Sequence, residues 1–178
     1  MSFARVRALV VVGLLAIFAL VFAVVALVKD TQSDAGAAKG CPAGWPLADV
    51  TLRESKDVKI NVYNATATAG QAASVADDFR NRKFQVKKAA NDPQKRSVDE
   101  VAVLRYGPKG VGSAHLLRAY FLNQAVYEYD AKREDDIVDV VIGNSFQQLA
   151  TTTEVNQSLG DLGSPQAPEN SCPAPVDK

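Results

Sequence analysis

The sequence has one histidine, two cysteines and no surplus of charge of either sign, and these shortages exclude several classes of function. Its 20 Lys and Arg residues balance its 20 Asp and Glu residues, so the overall charge gives no indication of a nucleic-acid partner. Two cysteines and the distant His115 do not make the ligand set of a zinc site. We therefore expect no nucleic acid, no metal and no cofactor.

The sequence also lacks the common arrangements of catalytic residues. It contains no Gly-x-Ser-x-Gly nucleophile motif and no phosphate-binding loop with its lysine. We interpret His115, which stands beside two leucines, as a helix-surface residue rather than a general base. The acidic run at residues 134–136 is typical of a solvated loop rather than of a facing carboxylate pair. We predict no catalytic residues and a protein that is not an enzyme.

A long apolar run is present near the amino end. Residues 8–28 contain no charge and no proline, and as a helix they would extend about 31 Å, enough to cross the hydrocarbon core of a bilayer. Arg5 and Arg7 precede the run, so the positive-inside rule places residues 1–7 in the cytoplasm and the rest of the chain outside. We predict a single-pass signal anchor in the cell membrane, with cleavage near residues 35–38 as the alternative.

The two cysteines bracket the folded region on the external side. Cys41 and Cys172 each begin a Cys-Pro-Ala phrase, and oxidation is permitted outside the cytoplasm. We predict a disulfide bond between them, with two free thiols as the alternative. In the chain-entropy model, closing so long a loop contributes roughly 4–5 kcal/mol to stability.

Hydrophobic periodicity predicts a domain over residues 57–149 with the element order βαββαββ. The predicted strands lie at residues 58–63, from residue 84, and at 101–106, 125–129 and 137–142, and the predicted helices follow Thr68 and Gly110. Two helices on one face of a roughly five-stranded sheet make a two-layer α/β sandwich of the α+β type, for which a ferredoxin-like arrangement is possible. The strongly apolar strand at 137–142 is expected at the centre of the sheet.

The segments on either side of this domain have a different composition. Residues 29–56 are predicted to be an extracytoplasmic linker, whose second half lies against the domain without regular structure. Residues 150–178 lose apolar periodicity and carry several acidic residues, which predicts a flexible acidic tail that Cys172 ties back.

Two groups of polar residues are candidates for ligand binding. Asn64, Thr66 and Thr68 stand just before a predicted helix N-terminus, where anions are favoured. The alternative is local, since Thr68 precedes Gln71 by three positions and the pair fits a capping box. The second group is basic and can attract anionic polymers or lipid head groups, unless it is only a solvated face. It consists of Arg80, Arg82, Lys83, Lys87 and Lys88, followed in the next turn by Lys95 and Arg96.

At the start of the domain, a strand is followed by the phrase Asn-Ala-Thr, by Gly70 and Ala72, by a helix and then by Phe-x-Val. This pattern resembles the LytR C-terminal domain family. Residues 139–146 are similar to that family's closing strand, and the resemblance covers roughly residues 57–149. The family commonly has glycine where this chain has Ala65 and Lys83. It is often fused to the LytR-CpsA-Psr enzymes, which attach phosphate-containing polymers to peptidoglycan, but this chain lacks that catalytic domain.

The resemblance implies a non-catalytic role at the cell wall. We expect a membrane-anchored extracytoplasmic module that binds or organises peptidoglycan or its attached anionic polymer during wall assembly. The alternative is a protein-interaction adaptor that recruits division proteins or wall-polymer ligases of the LytR-CpsA-Psr type.

Overall fold

The computed structural model describes Arg7, residues 12–22 and residues 40–175. Residues 12–22 are helical, and the remainder of the predicted anchor at residues 8–28 lies outside the described residues. Within the described ranges, no helix combines the length and the apolar character that crossing a bilayer requires.

Residues 40–175 contain seven strands and three α-helices. The strands are β1 (Leu47–Ala48), β2 (Lys59–Asn64), β3 (Gln85–Asn91), β4 (Ala102–Tyr106), β5 (Val126–Tyr129), β6 (Ile137–Ile142) and β7 (Cys172–Pro173). The helices are α1 (Gln71–Asn81), α2 (Val111–Ala119) and α3 (Thr152–Leu162), and short 3₁₀ turns cover Ser55–Asp57 and Pro108–Gly110. The predicted mixed fold with a five-stranded sheet is confirmed.

The main sheet has the strand order β3-β2-β6-β4-β5. The apolar strand β6 is central, as its sequence predicts, and it runs parallel to β2 and antiparallel to β4. The pairs β2–β3 and β4–β5 are both parallel. The ferredoxin-like expectation was therefore wrong, because that arrangement needs an antiparallel sheet and only one strand pair here is antiparallel.

One face of the sheet carries the main core. Alternate residues of β2, β4 and β6 point to this face and are buried there, among them Ile60, Leu104 and Val140. Both α1 and α2 contribute buried side chains to the same core, including Phe79 and Leu117. Residues of opposite parity, such as Tyr63 and Val141, form a separate small cluster on the other face. The prediction that both helices lie on one face of the sheet is confirmed.

The prediction of a flexible tail over residues 150–178 was wrong for the 11 residues that form a third helix. Residues 152–162 form α3, which begins with a capping box between Thr151 and Glu154. Val155 is buried in the main core, and the side-chain amide of Asn123 donates to the Ser158 backbone carbonyl at 3.1 Å. Apolar residues at 155, 159 and 162 form a narrow helical stripe, which polar neighbours hide from a simple hydropathy scan.

The two flanks of the domain are joined to each other. The predicted disulfide is confirmed, with the Cα atoms of Cys41 and Cys172 6.0 Å apart. Beside it, β1 pairs in parallel with β7, so the expectation of no regular structure before residue 57 was wrong. The Gly112 amide donates to the Asp49 carbonyl at 2.9 Å, and a side chain at Gly112 would collide with the Thr51 carbonyl. The strap at residues 47–51 therefore packs directly on the start of α2.

Candidate functional site

A polar cleft of about 620 Å³ lies at the carboxyl ends of β2 and β3. Its walls are the loop that leads into α1 and the turn that follows β3. The lining residues are Asn64, Ala65, Thr66, Ala67, Thr68, Ala69, Gly70, Asn91, Asp92, Lys95, Arg96 and Ser97. Ligands of open α/β sheets commonly bind outside the carboxyl ends of parallel strands, so this position is one where a binding site is expected.

Three predicted site residues, Asn64, Thr66 and Thr68, lie together in this cleft and hold its first wall. The buried Asn64 side chain donates to the Thr68 carbonyl at 2.7 Å and accepts from the Thr66 amide at 3.0 Å. The Thr66 hydroxyl lies 2.8 Å from the Asn64 side-chain oxygen and 2.7 Å from that of Gln71. The side chains of Asn64 and Thr66 are thereby occupied within the loop, and their hydrogen bonds fix its shape.

The helix α1 starts differently from the predicted capping box. Its N-cap is Gly70, which has a φ of 79° and makes no side-chain capping bond. The Thr68 side chain does not cap the helix, because α1 begins only at Gln71 and the glycine turn intervenes. Positive φ at Gly70 suits glycine, and no side chain caps the first amides of the helix.

The second wall supplies two cations. Lys95 and Arg96 stand in the exposed turn after β3, and the Lys95 amide donates to the Asp92 carbonyl at 3.0 Å. The side chain of Lys95 forms no ion pair within residues 40–175. The Arg96 guanidinium donates to the Glu128 carboxylate at 3.0 and 3.3 Å. The cleft is therefore positively charged along this wall.

A buried ion pair fixes the position of the cation-bearing turn. The Arg105 guanidinium on β4 donates to both carboxylate oxygens of Asp92, at 2.6 and 3.1 Å. Burial by itself would raise the pKa of Asp92, but the hydrogen bonds and charge of Arg105 outweigh it and hold that pKa below its usual value. Burial also acts to lower the pKa of Arg105, and the contacts with Asp92 and Glu128 raise it above its usual value. Asp92 therefore adds no free negative charge to the cleft.

The members of the predicted basic group at residues 80–88 lie outside the cleft. Arg80, Arg82 and Lys83 stand at the far end of α1, about 16 Å along the helix axis from its start at the cleft. Lys87 and Lys88 belong to the edge strand β3, where Lys88 lies 5.7 Å from the centre of the Tyr63 ring. Of the basic residues considered from the sequence, only Lys95 and Arg96 line the cleft.

Two of these basic residues have local roles. The Arg82 guanidinium donates to the Ala150 carbonyl at 2.5 Å and lies over the Tyr120 ring, so it holds neighbouring segments together. Arg80 pairs with Asp77 on the exposed surface of α1. Lys83 has a φ of 74°, which explains why glycine is common there in the family that the sequence resembles.

The single histidine is buried rather than on the helix surface. A ring nitrogen of His115 lies 3.0 Å from the Gly163 carbonyl, which links α2 to the end of α3. Burial lowers the pKa of His115, while the bond to Gly163 acts in the opposite direction. Within the described part of the chain, no group of three or more acidic, histidine or cysteine residues is placed to hold a metal ion.

Comparisons with known proteins find one matching family and a similar protein of the cell envelope. A family model described as LytR cell envelope-related transcriptional attenuator matches residues 57–146. The cell envelope integrity protein Cei of Mycobacterium tuberculosis is 32% identical over 130 residues, which cover 72% of this chain and 59% of that protein. This chain therefore corresponds to less than two thirds of that relative's length.

A solved structure is also similar. It is the crystal structure of the soluble domain of a conserved hypothetical secreted protein from Mycobacterium marinum, which is 31% identical with a TM-score of 0.55. The match covers 68% of this chain and 84% of that domain.

Proposed function

We propose that this chain, which belongs to the LytR C-terminal domain family and has a cell-envelope role, uses its cleft to bind an anionic polymer of the cell wall. In this proposal the chain is a non-catalytic module that organises wall material outside the membrane. Residues 8–28 anchor it there as a single span, with the amino end in the cytoplasm. The ligand is a wall polymer that carries phosphate or carboxylate groups.

One observation supports this function above the others, namely the placement of Lys95 and Arg96 across the cleft from the loop at residues 64–70. Cations that line a cleft raise the local concentration of anions. Asp92, the acidic residue in the cleft wall, is neutralised by Arg105. The charges that face the cleft are therefore suited to an anionic ligand.

The shape of the cleft supports a polymer rather than a small enclosed molecule. Its first wall has only small side chains at Ala67, Ala69 and Gly70, and all three residues are exposed. A bulky chain can therefore approach the backbone of this loop closely. The internal bonds of Asn64 keep the loop in place without a ligand, so little ordering is needed on binding.

The proposal can be tested by co-sedimentation with insoluble cell wall. The full chain, with its disulfide intact and solubilised in detergent, is mixed with wall that keeps its anionic polymers and with wall stripped of them. We expect binding to the unstripped wall only, with affinity that falls as salt rises because screening weakens the ionic contacts. The double variant Lys95→Gln/Arg96→Gln should bind several-fold more weakly.

A matched control removes the same charge elsewhere. The double variant Lys87→Gln/Lys88→Gln loses two lysines from the exposed edge strand β3, outside the cleft lining. It should bind nearly as well as the wild type. Equal loss in both double variants would show a general charge effect and contradict a site in the cleft. Salt-tolerant binding to both kinds of wall would instead indicate recognition of the glycan or its peptides.

An adaptor function is the second candidate, and one observation favours it. β3 forms one edge of the main sheet, and its residues Lys87, Lys88 and Ala89 are exposed. An extended segment of a partner, such as a wall-polymer ligase of the LytR-CpsA-Psr type, could pair with this edge. Failure of the full chain to bind either wall preparation would favour this function over polymer binding.

A further inference from the structure

Arg96 stands between the cleft and a neighbouring groove of about 300 Å³ that Glu128 lines. Without a ligand, the guanidinium of Arg96 contacts both oxygens of the Glu128 carboxylate. The two side chains are 56% and 43% exposed, so solvent screens this ion pair. One of the two cations of the cleft is therefore already held by an internal carboxylate.

We infer that Glu128 sets the anion affinity of the cleft by competing with the bound anion for Arg96. This inference depends on the proposed function, since it concerns the same cleft. An exposed ion pair changes an equilibrium constant by only a factor of about 1.5 to 5, so it is easily exchanged. A phosphate or carboxylate group of the ligand can accept two parallel hydrogen bonds from a guanidinium. Glu128 receives less in the free protein, where a single guanidinium nitrogen of Arg96, Nη2, donates to both of its oxygens.

The surroundings of Glu128 make this exchange feasible. Its carboxylate also lies 3.4 Å from the Arg105 side chain, so it keeps a cationic neighbour when Arg96 turns away. Arg105 cannot turn toward the ligand as Arg96 does, because its guanidinium is buried and holds Asp92 through two hydrogen bonds. The network thus has one fixed cation and one exchangeable cation on the same carboxylate.

Lys95 and Arg96 then differ in their contributions. Lys95 has no ionic partner within residues 40–175 and is available to an anion at all times. Arg96 is available only to a ligand that outcompetes Glu128. A weakly charged ligand gains little from Arg96, whereas a ligand with doubly charged groups gains both cations, so Glu128 makes the cleft selective for high charge density.

The test is a titration of the full chain in detergent with inorganic tripolyphosphate, measured by isothermal titration calorimetry at low salt. Glu128→Gln removes the competitor, and we expect binding to become about 1.5- to 5-fold tighter. Glu128→Asp keeps the charge but withdraws the carboxylate from Arg96, and it should also tighten binding. In the Arg96→Gln background, neither change at position 128 should tighten binding.

Glu100→Gln is the matched control, because Glu100 lines the same groove and forms no ion pair within residues 40–175. Equal tightening by Glu100→Gln and Glu128→Gln would overturn the inference, since it would show only a change in the general field. No tightening in either Glu128 variant would overturn it as well. Wild-type protein that binds neither tripolyphosphate nor cell wall would overturn the proposed function itself, together with this inference.

Discussion

Replacing Arg105 by methionine should destabilise the domain by about 3 kcal/mol at neutral pH, because it leaves the Asp92 carboxylate buried without a cation. The two side chains are only 8% and 1% exposed, and breaking such a pair by removing one partner costs about 3–5 kcal/mol. We expect a destabilisation at the lower end of this range. Arg105 also pairs with Glu128, but that carboxylate is partly exposed, so the loss of this second pair adds little. Methionine keeps an unbranched apolar side chain in place of the apolar stem of Arg105.

The destabilisation caused by Arg105→Met should become smaller as the pH falls. Burial alone would raise the pKa of Asp92, but Arg105 holds this pKa below its usual value, near 4. The ionised Asp92 therefore stabilises the wild type fully at pH values above that usual pKa. This contribution is lost as the pH falls through the lowered pKa of the folded state. In Arg105→Met the buried carboxyl is protonated more readily, so the stability gap between variant and wild type should narrow as the pH falls toward 4.

Urea unfolding of the full chain, followed by far-UV circular dichroism, measures this effect. With a denaturant dependence of about 2 kcal/mol per M, the midpoint should fall by about 1.5 M at pH 7. The double variant Arg105→Met/Asp92→Asn should recover part of the loss, because no charge is then buried. Arg96→Met, which removes an exposed arginine of the same network, is the control and should change stability by less than about 0.5 kcal/mol. A loss below 1 kcal/mol, or an equal loss at pH 7 and pH 4, would refute the account.

Two further predictions concern the flanks of the domain. Replacing Cys41 and Cys172 together by serine should lower the free energy of unfolding by up to about 5 kcal/mol, because the disulfide closes a loop with a sequence separation of 131. Thermal unfolding with and without reductant measures this loss, and an unchanged transition would contradict the prediction. Thr151→Ala should destabilise the domain by about 1 kcal/mol through loss of the α3 capping box, whereas Thr153→Ala, at an exposed position of the same helix, should have a smaller effect on the urea midpoint.

The parts of the fold that sequence analysis predicted are those with a strong local pattern. The alternation at residues 58–63 and the apolar run at 137–142 identify β2 and β6, since burial on one or both faces leaves a direct trace in the sequence. The α3 helix was missed because only three apolar residues mark its buried stripe. Its start did carry a signal, since Thr151 and Glu154 have the spacing of a capping box just before Val155.

The candidate site was only half predictable for a different reason. Asn64, Thr66 and Thr68 are close in sequence and remain close in space, so a local pattern was enough to identify them. The basic residues at 80–88 are also close in sequence to the loop, but α1 carries the chain to the opposite end of the sheet before β3 begins. Lys95 and Arg96 return to the cleft because β3 runs parallel to β2 and ends beside it.

The ionic network that supports the cleft depends on strand order, which the local sequence does not encode. Glu128 lies beside Arg105 because β4 and β5 are parallel neighbours in register at these positions. Asp92 reaches the same arginine from the turn after β3, although β2 and β6 lie between β3 and β4 in the sheet. Arg105 therefore holds both carboxylates, one through the register of β4 with β5 and the other through the position of the turn after β3. Because Glu128 is also within reach of Arg96, the arrangement of strands determines both the stability of the turn and the strength with which its exchangeable cation is held.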